Sequence, residues 1–322
     1  MALDAQIAQI LRFVAKAGHP AAHTLTPLEA RAQFEKQAPV LDFKPLPMWR
    51  VEDVAHGPWR ARIYTPREPQ WSNPLPVLLY MHGGGFTIGT PTTHDGLTRY
   101  LAQHADCIVI SLDYRLAPEH LFPAAAEDAV DAYAWSLREI AAFGGDVQRV
   151  AIADDSAGGT LATVAWIAAR ERGLPQPRLQ LLVYPGTHPS QDTPSHLRLA
   201  EGFLLTRPNI LWFFDQYAPQ AAQRHDWRFA PLNATSLQGL APAYVLVAEY
   251  DPLVDEGLAY AERLRESGVP TTLVNANGMV HGFSTLADQS VRPKLMLMMP
   301  SVPCARRSNR IQPYKKLQGD TP

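Results

Sequence analysis

The chain has 322 residues, 46% hydrophobic and 19% charged, with a formal net charge of −2. That length and core fraction fit one large α/β domain carrying an insertion, and the near-neutral charge argues against nucleic acid as the main partner. Twenty glycines and 29 prolines fall short of a disordered composition and point to many defined turns.

The first elements are helical. Ile7, Ile10, Leu11 and Val14 recur at helical spacing, and Thr26-Pro27-Leu28-Glu29 reads as a cap, a first-turn proline and a second helix. Strand-like runs follow: WRVEDVA, ARIYT, PVLLYMH, CIVISLDY, RVAIA, LQLLVYP, AYVLVAE and TTLVNA. Several are continuous β-branched and leucine runs, as strands buried on both faces require. Helical stretches are expected over residues 128–142, 157–172 and 255–267. The alternation predicts a mostly parallel sheet covered on both sides. Residues 187–230, rich in aromatics, interrupt it and read as a helical excursion, either a surface helix pair or a lid over a site.

Cys107 and Cys304 form no C-x-x-C pair, so neither a zinc nor a thioredoxin-type site is expected. Cys107 reads as a buried strand residue in CIVIS. The start of the chain does not read as a signal peptide, and no apolar run approaches a membrane span. The expectation is a reduced, cytoplasmic protein.

The chemistry gathers around DDSAGG, residues 154–159, at the end of RVAIA. Ser156 closes a strand and opens a helix, and two glycines after it allow close packing, as a nucleophile elbow needs. A serine near neutral pH needs a base. Of the later histidines, His188, His196 and His225 fall in or beside the insertion, and only His281, in GMVHGF, follows another strand. Asp251 directly ends the strand before that, whereas Asp255 falls within the next helix. Ser156, Asp251 and His281 thus stand at the C-terminal ends of three parallel strands, where ligand crevices form. His82-Gly83-Gly84-Gly85-Phe86 follows another strand; its glycines allow N–H groups to face a ligand. A flexible or phosphate-binding loop is the plainer alternative, but no G-K-[ST] follows. His82 reads as an orienting hydrogen-bond residue, because no partner has metal-ligand spacing.

Together HGGGF, YRLAPEHLFPAAAEDA, DSAGG, DPLVDEG and HGF resemble the bacterial hormone-sensitive-lipase-like (family IV) carboxylesterases of the α/β-hydrolase superfamily, over roughly residues 40–285. The resemblance implies an α/β-hydrolase fold: an eight-stranded, mostly parallel sheet with helices on both faces and a helical cap. The cap would comprise residues 1–45 and the insertion 187–230, and the core residues 46–186 and 231–287. It implies a Ser156–His281–Asp251 triad, an oxyanion hole from the N–H groups of Gly84, Gly85 and Ala157, and no metal or organic cofactor. Its substrates would be short- to medium-chain acyl esters, with Phe203, Leu204, Trp212, Phe213 and Phe214 as candidates to line the acyl pocket. A homodimer is compatible with the family. Glu119, His120 and Asp128 are read as structural, setting a turn and the start of the next helix.

The sequence departs from the family pattern twice. Asp154 stands where the pattern has glycine. It is expected to crowd the turn and place a negative charge near a forming oxyanion, weakening catalysis or stability. The family also closes with an amphipathic helix after HGF. Residues 288–322 instead hold seven basic residues, two acidic ones and five prolines, and read as an irregular tail. An impaired or ligand-binding member of the same fold remains the alternative to an active esterase.

Overall fold

The computed structural model describes residues 2–286, so the expectation for residues 288–322 lies outside the described residues. Eight strands form one sheet in the order β1-β2-β4-β3-β5-β6-β7-β8. They are β1 (Arg50–His56), β2 (Trp59–Thr65), β3 (Leu75–Met81), β4 (Ile108–Asp113), β5 (Gly145–Asp154), β6 (Gln180–Val183), β7 (Ala243–Tyr250) and β8 (Thr271–Val280). The β1–β2 and β2–β4 pairs are antiparallel, and the other five are parallel.

The continuous apolar run of β3 follows from burial on both faces. Val77, Leu79 and Met81 join one core cluster and Leu78 and Tyr80 the other, as the two-residue strand period requires. The first cluster lies under α4 (Ala124–Glu139), α5 (Ala157–Glu171) and α8 (Val254–Glu266). The second lies under α3 (Asp95–Ala105), with Ile7 of α1 (Ala5–Ala17) added to it. Cys107 is buried in that second cluster.

Helix α2 (Pro27–Leu41) begins as the sequence predicts: Thr26 and Glu29 form a capping box, and Pro27 occupies the first turn. Arg31 of α2 fastens this helix to the core. Its guanidinium donates to Thr87 O (2.8 Å), Ala117 O (2.6 Å) and both carboxylate oxygens of Glu119 (2.8 and 2.6 Å). The insertion supplies the short α6 (Pro194–Arg198) and α7 (Arg207–Tyr217). Helix α4 starts at Ala124, four residues before the predicted start, because the alanines after Pro123 are strong helix formers.

Asp128 consequently lies inside α4, rather than at its start. It is buried and accepts hydrogen bonds from the Arg115 backbone N–H (2.9 Å) and from the Arg115 guanidinium (2.7 and 2.9 Å). Replacing Asp128 with Ala would strand those donors. We expect Asp128→Ala to cost about 2–4 kcal/mol of stability in chemical denaturation, with unchanged turnover per folded molecule. Lost turnover at unchanged stability would contradict this structural role.

Candidate active site

The site is built on the turn between β5 and α5. Ser156 sits there at φ 56°, ψ −119°, a conformation rare for a non-glycine residue. The turn can be this sharp because α5 packs directly on β3: a Cβ at Gly158 would lie 2.0 Å from Met81 O. The Ser156 N–H donates to Val183 O (3.0 Å), and Gly186 N–H donates to Ser156 O (3.2 Å).

His281 follows the end of β8, and Asp251 follows the end of β7. His281 Nε2 is 2.9 Å from Ser156 Oγ, and His281 Nδ1 is 2.7 Å from Asp251 Oδ2. Asp251 is fully buried, and its Oδ1 accepts the Leu253 N–H at 2.9 Å. Its two oxygens therefore face different donors, which fixes the carboxylate plane and with it the imidazole. A donor at Nδ1 leaves Nε2 as the acceptor for the serine proton.

The other acidic and histidine candidates lie elsewhere. Asp255 is in α8 and accepts the Ser195 N–H (2.8 Å), tying down α6. His196 is buried against Glu256, at 3.1 Å. His188 contacts Ser190, and His225 belongs to a short 3-10 turn. Glu256 was not anticipated as a buried residue, although it lies in DPLVDEG; it accepts the Thr187 N–H (2.8 Å) beside the serine turn.

The HGGGF loop faces the serine turn from the end of β3. His82 Nδ1 lies 2.7 Å from Gly83 O, and Gly84 adopts φ 116°. Among the described residues, the N–H groups of Gly84, Gly85 and Ala157 donate to no other group. Among these residues, no group of His, Cys, Asp and Glu side chains has the arrangement to hold a metal ion.

A cavity of about 820 Å³ opens at Ser156, bounded by Val14, Phe34, Ile88, Ile210 and Leu286 among others. Of the five acyl-pocket candidates, Leu204, Phe213 and Phe214 line it, whereas Phe203 and Trp212 do not. Ile210, Phe213 and Phe214 share one face of α7 at helical spacing, and Trp212 lies off that face, edge-on to Phe213 (5.2 Å). Phe203 instead packs on Tyr250, with ring centroids 5.2 Å apart. Phe213 covers Gly85 so closely that a Cβ there would meet its ring at 2.2 Å.

A family model of the alpha/beta hydrolase fold matches residues 78–285. The chain is 39% identical to ethyl acetate hydrolase of Pseudomonas putida over 294 residues, covering 88% of this chain and 92% of that protein. It is 44% identical to esterase LipI of Mycobacterium tuberculosis over 242 residues, 74% of this chain and 76% of the relative. The chain belongs to the hormone-sensitive-lipase-like serine carboxylesterases. A solved relative, a serine-to-alanine mutant of the α/β-hydrolase enzyme LAE6 from the metagenome of Lake Arreo, Spain, superimposes with a TM-score of 0.86 at 39% identity. The match covers 92% of this chain and 95% of the LAE6 chain. Membership in this family fits the sheet order and the placement of Ser156 described above. No helix among the described residues is long and apolar enough to cross a membrane.

Within that family frame, Asp154 does not act as its sequence position suggests. Its backbone is ordinary strand, so the crowded turn falls on Ser156 alone. Main-chain pairing of β5 with β6 runs only through Ile152↔Gln180 and Ala153↔Leu181, and the Asp154 carboxyl then takes up the Val183 N–H (3.1 Å). Burial pushes this carboxyl well above the usual carboxylate range, more than the Val183 hydrogen bond pulls it down, and neighbouring Asp155 adds to the rise. The carboxyl therefore holds its proton to higher pH than an ordinary aspartate, which lessens the negative charge expected at the elbow.

The linkage has a definite sign. The folded state keeps a proton that the unfolded chain releases above about pH 4, so stability falls as pH rises from there, by up to about 1.4 kcal/mol per pH unit. Asp154→Asn preserves an acceptor for Val183 and carries no such proton. Its melting temperature should exceed that of the wild type by a margin that widens between pH 4 and pH 7. Asp154→Gly removes the proton cost but also the acceptor, and should melt below Asp154→Asn. A margin independent of pH would refute the upward shift of the carboxyl.

Proposed function

We propose that this protein hydrolyses short- to medium-chain acyl esters of small alcohols through an acyl-enzyme formed on Ser156. The observation that carries the reading is the continuous chain Ser156 Oγ–His281–Asp251 (2.9 and 2.7 Å) at the base of a largely apolar cavity. The P. putida relative named for ethyl acetate supports a short acyl chain. The impaired or binding-only alternative is not favoured, because Asp154 leaves both of those hydrogen bonds in place.

The steps follow from the geometry. His281 Nε2 accepts the Ser156 proton as Oγ attacks the ester carbonyl, and the imidazolium is stabilised by Asp251. The carbonyl oxygen becomes an oxyanion held by the N–H groups of Gly84, Gly85 and Ala157. His281 then gives its proton to the departing alkoxide, leaving the acyl group on Ser156. Water, deprotonated by His281, attacks that acyl carbon; the second oxyanion collapses, the carboxylic acid leaves, and Ser156 regains its proton. Leu204, Phe213 and Phe214 supply an apolar wall for the acyl chain, and α1, α2 and α7 together act as the cap over it.

The test is hydrolysis of p-nitrophenyl esters from acetate to palmitate. Turnover should peak at short to medium chains. Ser156→Ala should lower kcat by about 10⁴-fold or more and Asp251→Asn by about 10³–10⁴-fold, both with little change in melting temperature. Undiminished turnover in folded Ser156→Ala would overturn the mechanism, and a maximum at palmitate would overturn the chain-length assignment.

A further inference from the structure

Asp155, between Asp154 and Ser156, is buried behind the serine turn and takes no part in the steps above. Its Oδ1 accepts hydrogen bonds from Tyr80 OH (2.5 Å) and the Gly83 N–H (2.8 Å), and His94 Nε2 lies 3.5 Å from the same oxygen. His94, at the start of α3, is 2% exposed.

The other ring nitrogen of His94 is also engaged. Nδ1 meets Thr93 Oγ1 at 2.9 Å and Thr90 O at 3.4 Å. The Thr93 hydroxyl donates its own proton to Thr90 O (2.9 Å), so it presents lone pairs to His94. With the Thr93 hydroxyl turned to Thr90 O, both imidazole nitrogens have an acceptor to donate to, as the doubly protonated ring requires. Burial opposes that charge most, but Asp155, Asp42 and Thr90 O together outweigh it and hold His94 above its ordinary value. Burial likewise pushes Asp155 up, and His94, Tyr80 and the Gly83 N–H outweigh it, keeping Asp155 below the usual carboxylate range. The other groups around His94 are His82, Tyr80, Phe34 of α2 and the Asp42 carboxylate just beyond α2.

Gly83 is held from both ends. Asp155 takes its N–H, and His82 Nδ1 donates to its carbonyl (2.7 Å). The Gly83–Gly84 peptide is planar and trans, so fixing the carbonyl on one side aims the Gly84 N–H to the other. His82 is stacked between Tyr114 (4.3 Å) and His94 (5.4 Å); burial and the His94 charge push it down to about 3, leaving it a neutral donor.

We propose that the buried His94–Asp155 ion pair is a positioning device for the oxyanion loop. His94 keeps Asp155 ionised, Asp155 clamps the Gly83 N–H, and the clamp presets the Gly84 and Gly85 N–H groups for the charge that develops on the ester oxygen. The inference rests on the esterase reading given above. His94 and Asp155 border the cavity, but both are buried and bonded to each other and to the Gly83 N–H, so their proposed action is through the loop.

A clamp of this kind belongs to the transition state, so its loss should appear in kcat and not in KM. The experiment compares full-length wild type, His94→Gln, Asp155→Asn and the double variant on p-nitrophenyl butyrate, with phenylboronic acid as a probe that forms a tetrahedral adduct with the serine. Each single variant should lower kcat by about 10–100-fold at unchanged KM and weaken boronate inhibition by a similar factor. The double variant should be no worse than the poorer single one, because both break one device. Wild-type kcat and boronate affinity in either folded single variant, or multiplicative losses in the double variant, overturn the proposal. Ser156→Ala runs alongside. If it retains turnover, the esterase reading itself fails; if it is dead while His94→Gln is fully active, only the clamp fails.

Discussion

The whole site hangs on the strained serine turn between β5 and α5. Holding Ser156 at φ 56° costs about 1–3 kcal/mol. The cost is offset from both flanking strands: Val183 O of β6 accepts the Ser156 N–H (3.0 Å), and Met81 O of β3 accepts the Asp155 N–H (3.4 Å). At about 0.5–1.5 kcal/mol net per hydrogen bond, these contacts together match the strain. Neither could form unless β5 lay between β3 and β6, so the sheet order and the serine conformation are one constraint.

Three aspartates close to one another in space show how environment sets their chemistry. Asp154 has one backbone N–H and deep burial, and its carboxyl is pushed well above the usual range. Asp155, equally buried, has Tyr80, Gly83 and His94 around one oxygen and is an anion. Asp251 divides its oxygens between His281 and the Leu253 N–H. Hydrogen-bond donors, rather than exposure, separate the first two.

The sheet was legible because fully buried parallel strands must be apolar without interruption, and LPVLLYM or AYVLVAEY has few other uses. The juxtaposition of Ser156, Asp251 and His281 was legible because strand ends in such a sheet are the places where polar side chains converge. What sequence could not give was direction within an irregular or amphipathic segment. FLL and LWFF name five apolar side chains without saying that Leu204, Phe213 and Phe214 turn inward while Phe203 and Trp212 turn away. Nor could it give the ionisation of Asp154, which depends on how few donors β6 offers. His94 carried no sequence signal at all, since its partner lies 61 positions later and meets it only across the sheet.

The inner wall of the cavity and its outer wall come from different parts of the chain. Ser156, Asp251 and His281 follow strands of the sheet, while Val14, Phe34 and Ile210 belong to helices laid over it. Helices α1 and α2 share little of the main core, burying fully only Ile7 and Ala30, whereas α7 buries Ile210, Phe213 and Tyr217. Substitutions on α1 and α2 therefore fall mostly outside the packing that sustains the serine turn. Substrate preference and catalytic competence are separable traits in this architecture, and a directed-evolution search confined to α1 and α2 can change one with little tax on the other.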